Sequence, residues 1–269
     1  EDNNYGIFYG KILYNKCKLD FKEENNIKIN KFNNNGLDLN GRITYLHYGI
    51  LNNLIPSNTY CYKIYNSDGY SKTYSFKMHD YKKSNTHIIV YGDLDIYNKK
   101  TISNVKQTIL EYNVDFLLHN GDMAYDLYEN NGTIGDEFMN YIQPISTQHY
   151  YMTSVGNHER TYNFSHYQNR FYNPLLVSNR SSNYFWTLET NNTKFISINT
   201  DLYYDDMGVP VNISDLNSSI GSVITQFNWL SNELLNYRTN PLTQNNWIIV
   251  FGHHPLYCSN INHEKLIST

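Results

Sequence analysis

The sequence predicts an α/β fold that follows a smaller all-β region. Roughly the first 80 residues alternate short β-prone runs with polar turns, and the rest of the chain alternates apolar runs with segments of helical periodicity. In this second part, several apolar runs are followed at once by aspartate, asparagine or histidine. Because ligands gather at the carboxyl ends of strands in open α/β sheets, this arrangement predicts one shared site.

The N-terminal part contains four runs with the composition of β-strands, at residues 5–9, 42–48, 60–65 and 71–76. Asp68 and Gly69, between the last two runs, predict a hairpin turn. We interpret residues 1–83 as part of a small β-sandwich domain. A polar stretch at residues 80–85 then leads into the second domain, which we predict over residues 84–269.

The second domain is predicted to alternate strands and helices, with a loop-rich segment at about residues 161–220. Trp229 and Trp247 lie on helix and strand periodicity, which predicts that both side chains belong to the core. The predicted helices are residues 101–112, 134–141 and 225–237, and the predicted strands are residues 87–91, 114–118, 150–155, 184–188, 194–198 and 247–250.

Four short motifs follow predicted strands and carry side chains that bind metals. They are Gly-Asp-Leu-Asp at residues 92–95, Gly-Asp-Met-Ala-Tyr at 121–125, Gly-Asn-His-Glu at 156–159 and Val-Phe-Gly-His-His-Pro at 250–255. Each motif alone is weak, since Gly-Asp is a common turn and a histidine after a strand is more often structural. Their order and their common position after strands predict a binuclear metal site.

Two metal ions held side by side need a bridging carboxylate, a role that we assign to Asp122. We expect Asp93 to complete the shell of the first ion, and Asn157 and His253 that of the second. These oxygen and nitrogen ligands suit Fe, Mn or Zn better than Mg or Ca. Tyr125 points to Fe(III) at the first position, because a phenolate is a hard, strongly donating ligand.

The spacing Gly-Asp-x-x-Tyr, followed by Gly-Asn-His-Glu and Val-x-x-His, resembles the purple acid phosphatases, within the calcineurin-like metallophosphoesterases. Residues 41–47 and 54–64 are similar to the end of the fibronectin-like N-terminal domain of larger members. The resemblance implies a metallophosphoesterase β-sandwich flanked by helices. It also implies acid hydrolysis of phosphate monoesters at Fe(III) paired with divalent Fe, Zn or Mn, with a metal-bound hydroxide attacking phosphorus in line.

The same resemblance assigns roles to two histidines. His158 would contact the substrate phosphate and protonate the leaving group as a general acid. His263 matches a second substrate-facing histidine, so both residues are expected to be catalytic and substrate-binding. His254 stands where the family usually has a small residue, and we assign it no ligand role. His119 is expected to be structural, or to orient a ligand carboxylate.

Two features depart from the family pattern. Asp95 occupies a position that is usually glycine, and it is a candidate additional ligand of the first metal. The closing Gly-His-x-His motif, which gives one histidine to each metal, is absent from the 269 residues. We therefore expect the full protein to continue past Thr269 and to begin before Glu1.

Composition bears on partners and location. The net charge is −4 and no Lys/Arg cluster occurs, which argues against nucleic acid as a partner and favours a small phosphorylated substrate. No run is long enough to span a membrane. Cys17 and Cys61 are candidates for a disulfide, and six Asn-x-Ser/Thr sequences suit a glycoprotein. We expect a secreted or vesicular, lysosome-like location, and the sequence leaves a homodimer open.

Two alternative functions remain. One is a phosphodiesterase or nucleotidase of the same superfamily that uses Mn or Zn, against which Tyr125 argues. The other is a catalytically dead homologue that acts as a binding or scaffold protein. Asp95 and the absent closing motif are its sequence support.

Overall fold

A computed structural model of the protein describes residues 5–23, 27–36, 41–172, 183–204 and 220–255. Contacts divide the chain into two units. The first comprises Glu1–Ile89, Ile96–Leu117 and Tyr128–Met152, and the second comprises Val90–Asp95, Leu118–Leu127 and Thr153–Thr269. Among the described residues, no helix combines the length and hydropathy that a bilayer crossing requires.

The N-terminal part of the first unit is built from antiparallel strands. Strand β6 pairs with β1, β7 and β8, and β1 also pairs with β2 and β3, while β4 and β5 form a separate pair. The strands are β1 (Gly6–Leu13), β2 (Lys16–Cys17), β3 (Phe21–Glu23), β4 (Ile27–Asn33), β5 (Ile43–Gly49), β6 (Thr59–Asn66), β7 (Gly69–Tyr70) and β8 (Tyr74–Lys77).

The four predicted N-terminal strands correspond to β1, β5, β6 and β8, although residues 71–73 lie outside any strand, and Gly69, which was predicted to lie in the hairpin turn, begins β7. Strands β2, β3, β4 and β7 were not predicted, because β2, β3 and β7 are only two or three residues long and the alternation of apolar and polar residues in β4 breaks at Lys31. The fibronectin-like character of this region and the domain boundary at residues 83 and 84 stay predictions.

A disulfide joins Cys17 of β2 to Cys61 of β6, as the sequence suggested. These strands lie on either side of β1, so the bond cross-links the sheet across its central strand. The Cys61 side chain is buried and Cys17 is exposed. The cross-link therefore reaches from the surface into the core of this sheet.

The α/β part begins with a three-stranded sheet of order β11-β10-β9. Its strands are β9 (Ile88–Tyr91), β10 (Phe116–Asn120) and β11 (Tyr150–Ser154), and its connections contain helices α1 (Lys99–Tyr112) and α2 (Glu129–Ser146). Helix α1 buries Ile102, Val105 and Ile109, a spacing that places them on one face. It ends at Asn113, whose φ of 49° is left-handed.

The second unit contains a further sheet of order β12-β13-β14. Strand β13 pairs antiparallel with β12 and parallel with β14. The elements are β12 (Trp186–Glu189), β13 (Thr193–Ser197), β14 (Trp247–Phe251), α3 (Ser165–Arg170) and α4 (Ile220–Thr239). Phe185, Ile196 and Trp229 form a buried cluster between this sheet and α4. The α/β class predicted from sequence is confirmed.

The prediction that Trp247 belongs to the core is wrong, because its side chain is 71% exposed. Trp229 is 7% exposed and lies in the core, as predicted. Within the described residues, β14 pairs with β13 alone, and it therefore forms the end of its sheet. Apolar periodicity identifies a strand but does not distinguish an edge strand from a central one.

Asp115 connects the segment before β9 to the start of β10 within the first unit. Its carboxylate accepts hydrogen bonds from Lys83 Nζ at 2.8 and 3.0 Å and from the His87 amide at 2.9 Å, and His79 Nδ1 lies 3.5 Å away. Burial alone would raise the pKa of Asp115, but the hydrogen bonds from Lys83 and His87 outweigh it and lower the pKa.

We expect Asp115→Asn to lower the free energy of unfolding by about 1–2 kcal/mol at neutral pH, because a charged acceptor is lost. A carboxyl with a lowered folded-state pKa stabilises the fold above its unfolded pKa of about 3.9 and loses that contribution as the pH falls through the folded value. The difference from the parent should therefore shrink at acidic pH, as measured by urea denaturation at several pH values.

Asp20→Asn is the matched control, since Asp20 makes a surface ion pair with Lys18 whose side chains are 47% and 70% exposed. Such pairs contribute little to stability. Equal losses for the two variants, or a loss for Asp115→Asn that does not depend on pH, would contradict this account.

Candidate metal centre

Two aspartates in strained backbone conformations begin the site. Asp93 and Asp122 follow strands β9 and β10 and have φ of 55° and 56°, in the left-handed region that non-glycine residues seldom adopt. Their loops are joined by hydrogen bonds from the Asp93 amide to the Gly121 carbonyl (3.1 Å) and from the Leu94 amide to the Asp122 carbonyl (3.0 Å). Strain of this kind collects at functional sites, where surrounding structure maintains it.

Two glycines let these loops approach each other. Gly121 has φ of 80°, and a Cβ atom there would lie 2.7 Å from His253 Nδ1 and 2.8 Å from the Gly156 Cα. A Cβ atom on Gly156 would lie 2.2 Å from Asp122 Oδ1. The close approach of the three loops therefore requires glycine at both positions.

Ligand atoms of Asp93, Asp122 and His253 all lie within 4.8 Å of one another. His253 Nε2 is 3.3 Å from Asp122 Oδ2 and 3.2 Å from Asn157 Oδ1. The Asn120 carbonyl, 2.9 Å from His253 Nδ1, can only accept, so Nδ1 carries a proton. In a neutral ring Nε2 would then present its lone pair to two oxygen acceptors, an arrangement that a cation would stabilise.

The pKa of His253 reflects the oxygen atoms that surround its ring. Burial alone would lower its pKa, but the hydrogen bonds to Asp122 and to the Asn120 carbonyl outweigh burial and raise the pKa to about 9. Burial would likewise raise the pKa of Asp122, and the His253 contact reverses this effect and lowers it. The oxygens around Nε2 thus favour positive charge, as expected where a metal ion binds.

Tyr125 lies beside Asp93, and its hydroxyl donates a hydrogen bond of 2.8 Å to Asp93 Oδ1. Its φ of 49° is also left-handed. Burial, followed by the hydrogen bond to Asp93, raises the pKa of the phenol. A phenolate ligand would therefore need a strong cation next to it to replace the proton.

His158 and Asp126 form an imidazole–carboxylate pair. His158 Nδ1 is 3.0 Å from Asp126 Oδ1, and His158 Nε2 lies 3.8 Å from Asp122 Oδ2. Burial alone would lower the pKa of His158, but the hydrogen bond to Asp126 and the charge of Asp122 outweigh burial and raise it. Asp126 was not predicted as a site residue, because its contact with His158 lies 32 residues away in the chain.

Glu159 holds the loops together, a role that was not predicted from sequence. Its side chain is buried and accepts backbone N–H bonds from Asp122 (2.9 Å), Met123 (2.8 Å) and Gly156 (2.8 Å). Burial raises its pKa to about 7, although the three amides oppose the rise. The sequence feature that could have indicated a role for Glu159 was its position directly after Asn157 and His158.

Two residues of β10, His119 and Asn120, precede the predicted ligand Asp122 in the chain. Asn120 accepts a hydrogen bond from Ser154 Oγ (2.7 Å) and donates one to the Gly252 carbonyl (2.9 Å), and it thereby links the ends of β10 and β11 to the loop after β14. His119 is 1% exposed, and burial lowers its pKa to about 3. His119 therefore stays neutral in the fold, and its role, structural or in orienting a ligand carboxylate, stays a prediction.

The structure brings six of the seven predicted site residues together. The seventh, His263, lies outside the described residues. Asp95 does not belong to the group of ligand atoms formed by Asp93, Asp122 and His253. The six are Asp93, Asp122, Tyr125, Asn157, His158 and His253.

Comparison with known proteins identifies the family. Residues 86–267 match the calcineurin-like phosphoesterase family, so the chain belongs to it. Human acid phosphatase type 7 is 34% identical over 223 residues, which cover 81% of this chain and 47% of the human protein. Zebrafish acid phosphatase type 7 is 31% identical over 258 residues, covering 95% of this chain and 53% of the relative. The chain thus spans about half the length of these relatives.

A solved structure agrees at the level of the fold. Purple acid phosphatase PPD1 from yellow lupin (Lupinus luteus) seeds matches 98% of this chain and 49% of its own, with a TM-score of 0.70 and 20% identity. Together with the family match and the acid phosphatase type 7 relatives, this agreement confirms the resemblance inferred from the four motifs. For this family a binuclear metal centre is implied, and the group around Asp122 is its candidate place.

We expect Gly156→Ala to reduce the metal content of the purified protein, because the added methyl group would displace the Asp122 carboxylate. Overpacking of this kind also costs about 1–3 kcal/mol of stability. Metal per chain, measured by elemental analysis, is the readout. Gly69→Ala is the control, since at a φ of 137° it strains the backbone but its methyl group would meet nothing within 4 Å, and a normal metal content in Gly156→Ala would contradict the steric account.

Proposed function

We propose that this chain is the catalytic part of an acid phosphatase, a binuclear metal-dependent hydrolase of phosphate monoesters. The observation that carries the proposal is the convergence of Asp93, Asp122 and His253 within 4.8 Å, with His158 next to Asp122. Family membership supports phosphoester hydrolysis. A monoester as the substrate is supported by the similarity to acid phosphatases.

The residues that would hold the metals form two sets that share Asp122. Asp93 and Tyr125 would hold Fe(III), and Asn157 and His253 would hold a divalent Fe, Zn or Mn, with Asp122 bridging the two. When bound, the two ions supply positive charge for the phosphate oxygens and lower the pKa of a water molecule. The left-handed backbone at Asp93 and Asp122 presents both carboxylates to the same place.

His158 is suited to deliver a proton to the leaving oxygen. Asp126 fixes the ring through Nδ1, so that Nε2 remains directed towards Asp122 and can carry the transferable proton. A raised pKa keeps the imidazole protonated in acid, the form that a general acid needs. By resemblance, His263 would be the second histidine that contacts the substrate phosphate.

The site is accessible to a small phosphorylated molecule. Asp93, Tyr125 and Asn157 are exposed, whereas Asp122 is buried beneath them. The net charge of −4 argues against nucleic acid as the substrate. The proposal is compatible with a monomer or a homodimer.

A secreted or vesicular, lysosome-like location is supported by the disulfide between Cys17 and Cys61, because such bonds persist in oxidising compartments. Of the sites for N-glycosylation, Asn131, Asn163 and Asn191 have exposed positions in the described part of the chain. Attachment of glycans there is part of the proposal.

We expect the full-length protein to carry about one Fe and one further metal ion per chain and to release phosphate from 4-nitrophenyl phosphate in acid.

Asp122→Asn should lose metal and activity together. His158→Ala should retain metal but lose about 10²–10⁴-fold in kcat, the range of general acid catalysis. Elemental analysis and phosphate release measure both effects.

Two results would redirect the proposal. Faster hydrolysis of bis(4-nitrophenyl) phosphate than of the monoester would favour the phosphodiesterase alternative. Full-length protein without stoichiometric metal would favour the catalytically dead homologue.

Tyr125→Phe tests the identity of the first metal. An Fe(III)–phenolate pair absorbs visible light, so the variant should lose the visible absorption while its fold, followed by circular dichroism, is retained. Tyr162→Phe is the control, because Tyr162 is also an exposed tyrosine but is not a predicted ligand. Absorption that survives in Tyr125→Phe would contradict Fe(III) coordination by this residue.

A further inference from the structure

A short helical turn, Thr200–Tyr203, contacts two of the loops that carry predicted metal ligands. Thr200 Oγ1 accepts a hydrogen bond of 2.9 Å from the amide of His254, the residue after His253. The next residue, Asp201, contacts Arg160, which closes the turn that begins at Asn157. Two consecutive residues thus connect the loops of Asn157 and His253.

The contact between Asp201 and Arg160 is bidentate. Arg160 Nε donates to Asp201 Oδ2 at 2.7 Å, and Nη2 donates to Oδ1 at 2.8 Å. Nη2 also donates to the carbonyls of Asp201 (3.2 Å) and Tyr204 (2.9 Å). The Asp201 side chain is 1% exposed, so this pair is shielded from water and its geometry is fixed.

Holding Arg160 restrains Asn157. The Arg160 amide donates a hydrogen bond of 3.2 Å to the Asn157 carbonyl, which makes both residues parts of one helical turn. Arg160 is therefore anchored at its side chain by Asp201 and at its backbone by Asn157. A shift of the guanidinium would pull on the ligand-bearing turn.

The Asp201 carboxylate also lies close to the loop that carries His253. His254 Nε2 lies 3.4 Å from Asp201 Oδ1, and the His254 ring stacks on Tyr204 with centroids 4.0 Å apart. Because His254 is bonded to His253 in the chain, these contacts limit where the His253 ring can point. The contacts of His254 with Asp201 and Tyr204 assign a structural role to the second histidine of the His-His pair.

The turn itself is firmly held. Asn199 Oδ1 accepts the Asp201 amide at 3.0 Å, and Gln226 of α4 accepts from the Asn199 amide at 2.7 Å and donates to its carbonyl at 3.1 Å. Asn199 and Gln226 are both buried. The carboxylate of Asp201 is thus fixed to a helix and not to a loose loop.

We propose that Asp201 is a positioning residue for the second metal ion, acting through Arg160 on Asn157 and through His254 on His253. This inference rests on the proposed function. The contacts described above involve neither Asp93 nor Tyr125, the predicted ligands of the first ion. Loss of the Asp201 carboxylate should therefore weaken one metal position selectively.

The test measures Zn²⁺ affinity in full-length protein that carries Fe(III), by competition with a chelator. We expect Asp201→Asn to raise the apparent Kd for Zn²⁺ about 10–100-fold, the usual effect of residues that orient metal ligands. The Fe content and the visible absorption should stay at the parent level. A general loss of structure would reduce the binding of both metals. A loss of Zn²⁺ affinity with unchanged Fe content therefore identifies a positioning role.

Glu233→Gln is the matched control. Glu233 pairs at 2.8 Å with Lys194, whose side chain is 7% exposed, so the variant also perturbs a buried ion pair of the second unit. It should lower the thermal midpoint without changing Zn²⁺ affinity. Equal Zn²⁺ loss in Glu233→Gln, or parent affinity in Asp201→Asn, would overturn the inference.

Arg160→Lys decides the question if Asp201→Asn does not fold. Lysine keeps the charge but not the two parallel hydrogen bonds, so Zn²⁺ affinity should fall below the parent value while the Fe content is unchanged, and parent affinity would overturn the inference. If the unsubstituted protein binds no metal, the proposed function fails as well. If the parent protein binds both metals and Asp201→Asn binds Zn²⁺ equally well, only this inference is refuted and the proposed function stands.

Discussion

The buried carboxylate of Asp122 is the constraint on which the site depends. A charge at a position 3% exposed is costly unless donors and opposite charges surround it. His253 and the His158 amide meet the side chain, and Glu159 holds the Asp122 amide. Loops from three strands must therefore converge on one residue.

This convergence explains the local backbone. Left-handed conformations at Asp93 and Asp122 turn the chain sharply at the ends of two strands, and glycine at positions 121 and 156 removes the atoms that would keep the loops apart. Strained backbone next to ligands is a common way to fix a metal site before the ion arrives. The chemistry and the backbone geometry are thus consequences of the same packing requirement.

Much of the fold and of the site could be predicted from the sequence, because both have local signals. An apolar run followed by Asp or His identified β9, β10 and β14 and the ligand candidates after them. Asp126, Asp201 and Glu159 were missed as functional residues, since their roles arise from contacts between distant loops. Trp247 was misjudged because periodicity does not report whether a strand lies at the edge of its sheet.

The disulfide between Cys17 and Cys61 has a practical consequence for producing this protein. It closes a segment with a sequence separation of 44 residues, and a cross-link of that span stabilises a fold by about 4 kcal/mol in the chain-entropy description. Expression in a reducing bacterial cytoplasm would forgo this contribution and leave three cysteines as thiols. Export to the periplasm, or a eukaryotic secretory host, would preserve the bond, and the choice of host would thus determine how much of the N-terminal sheet survives purification.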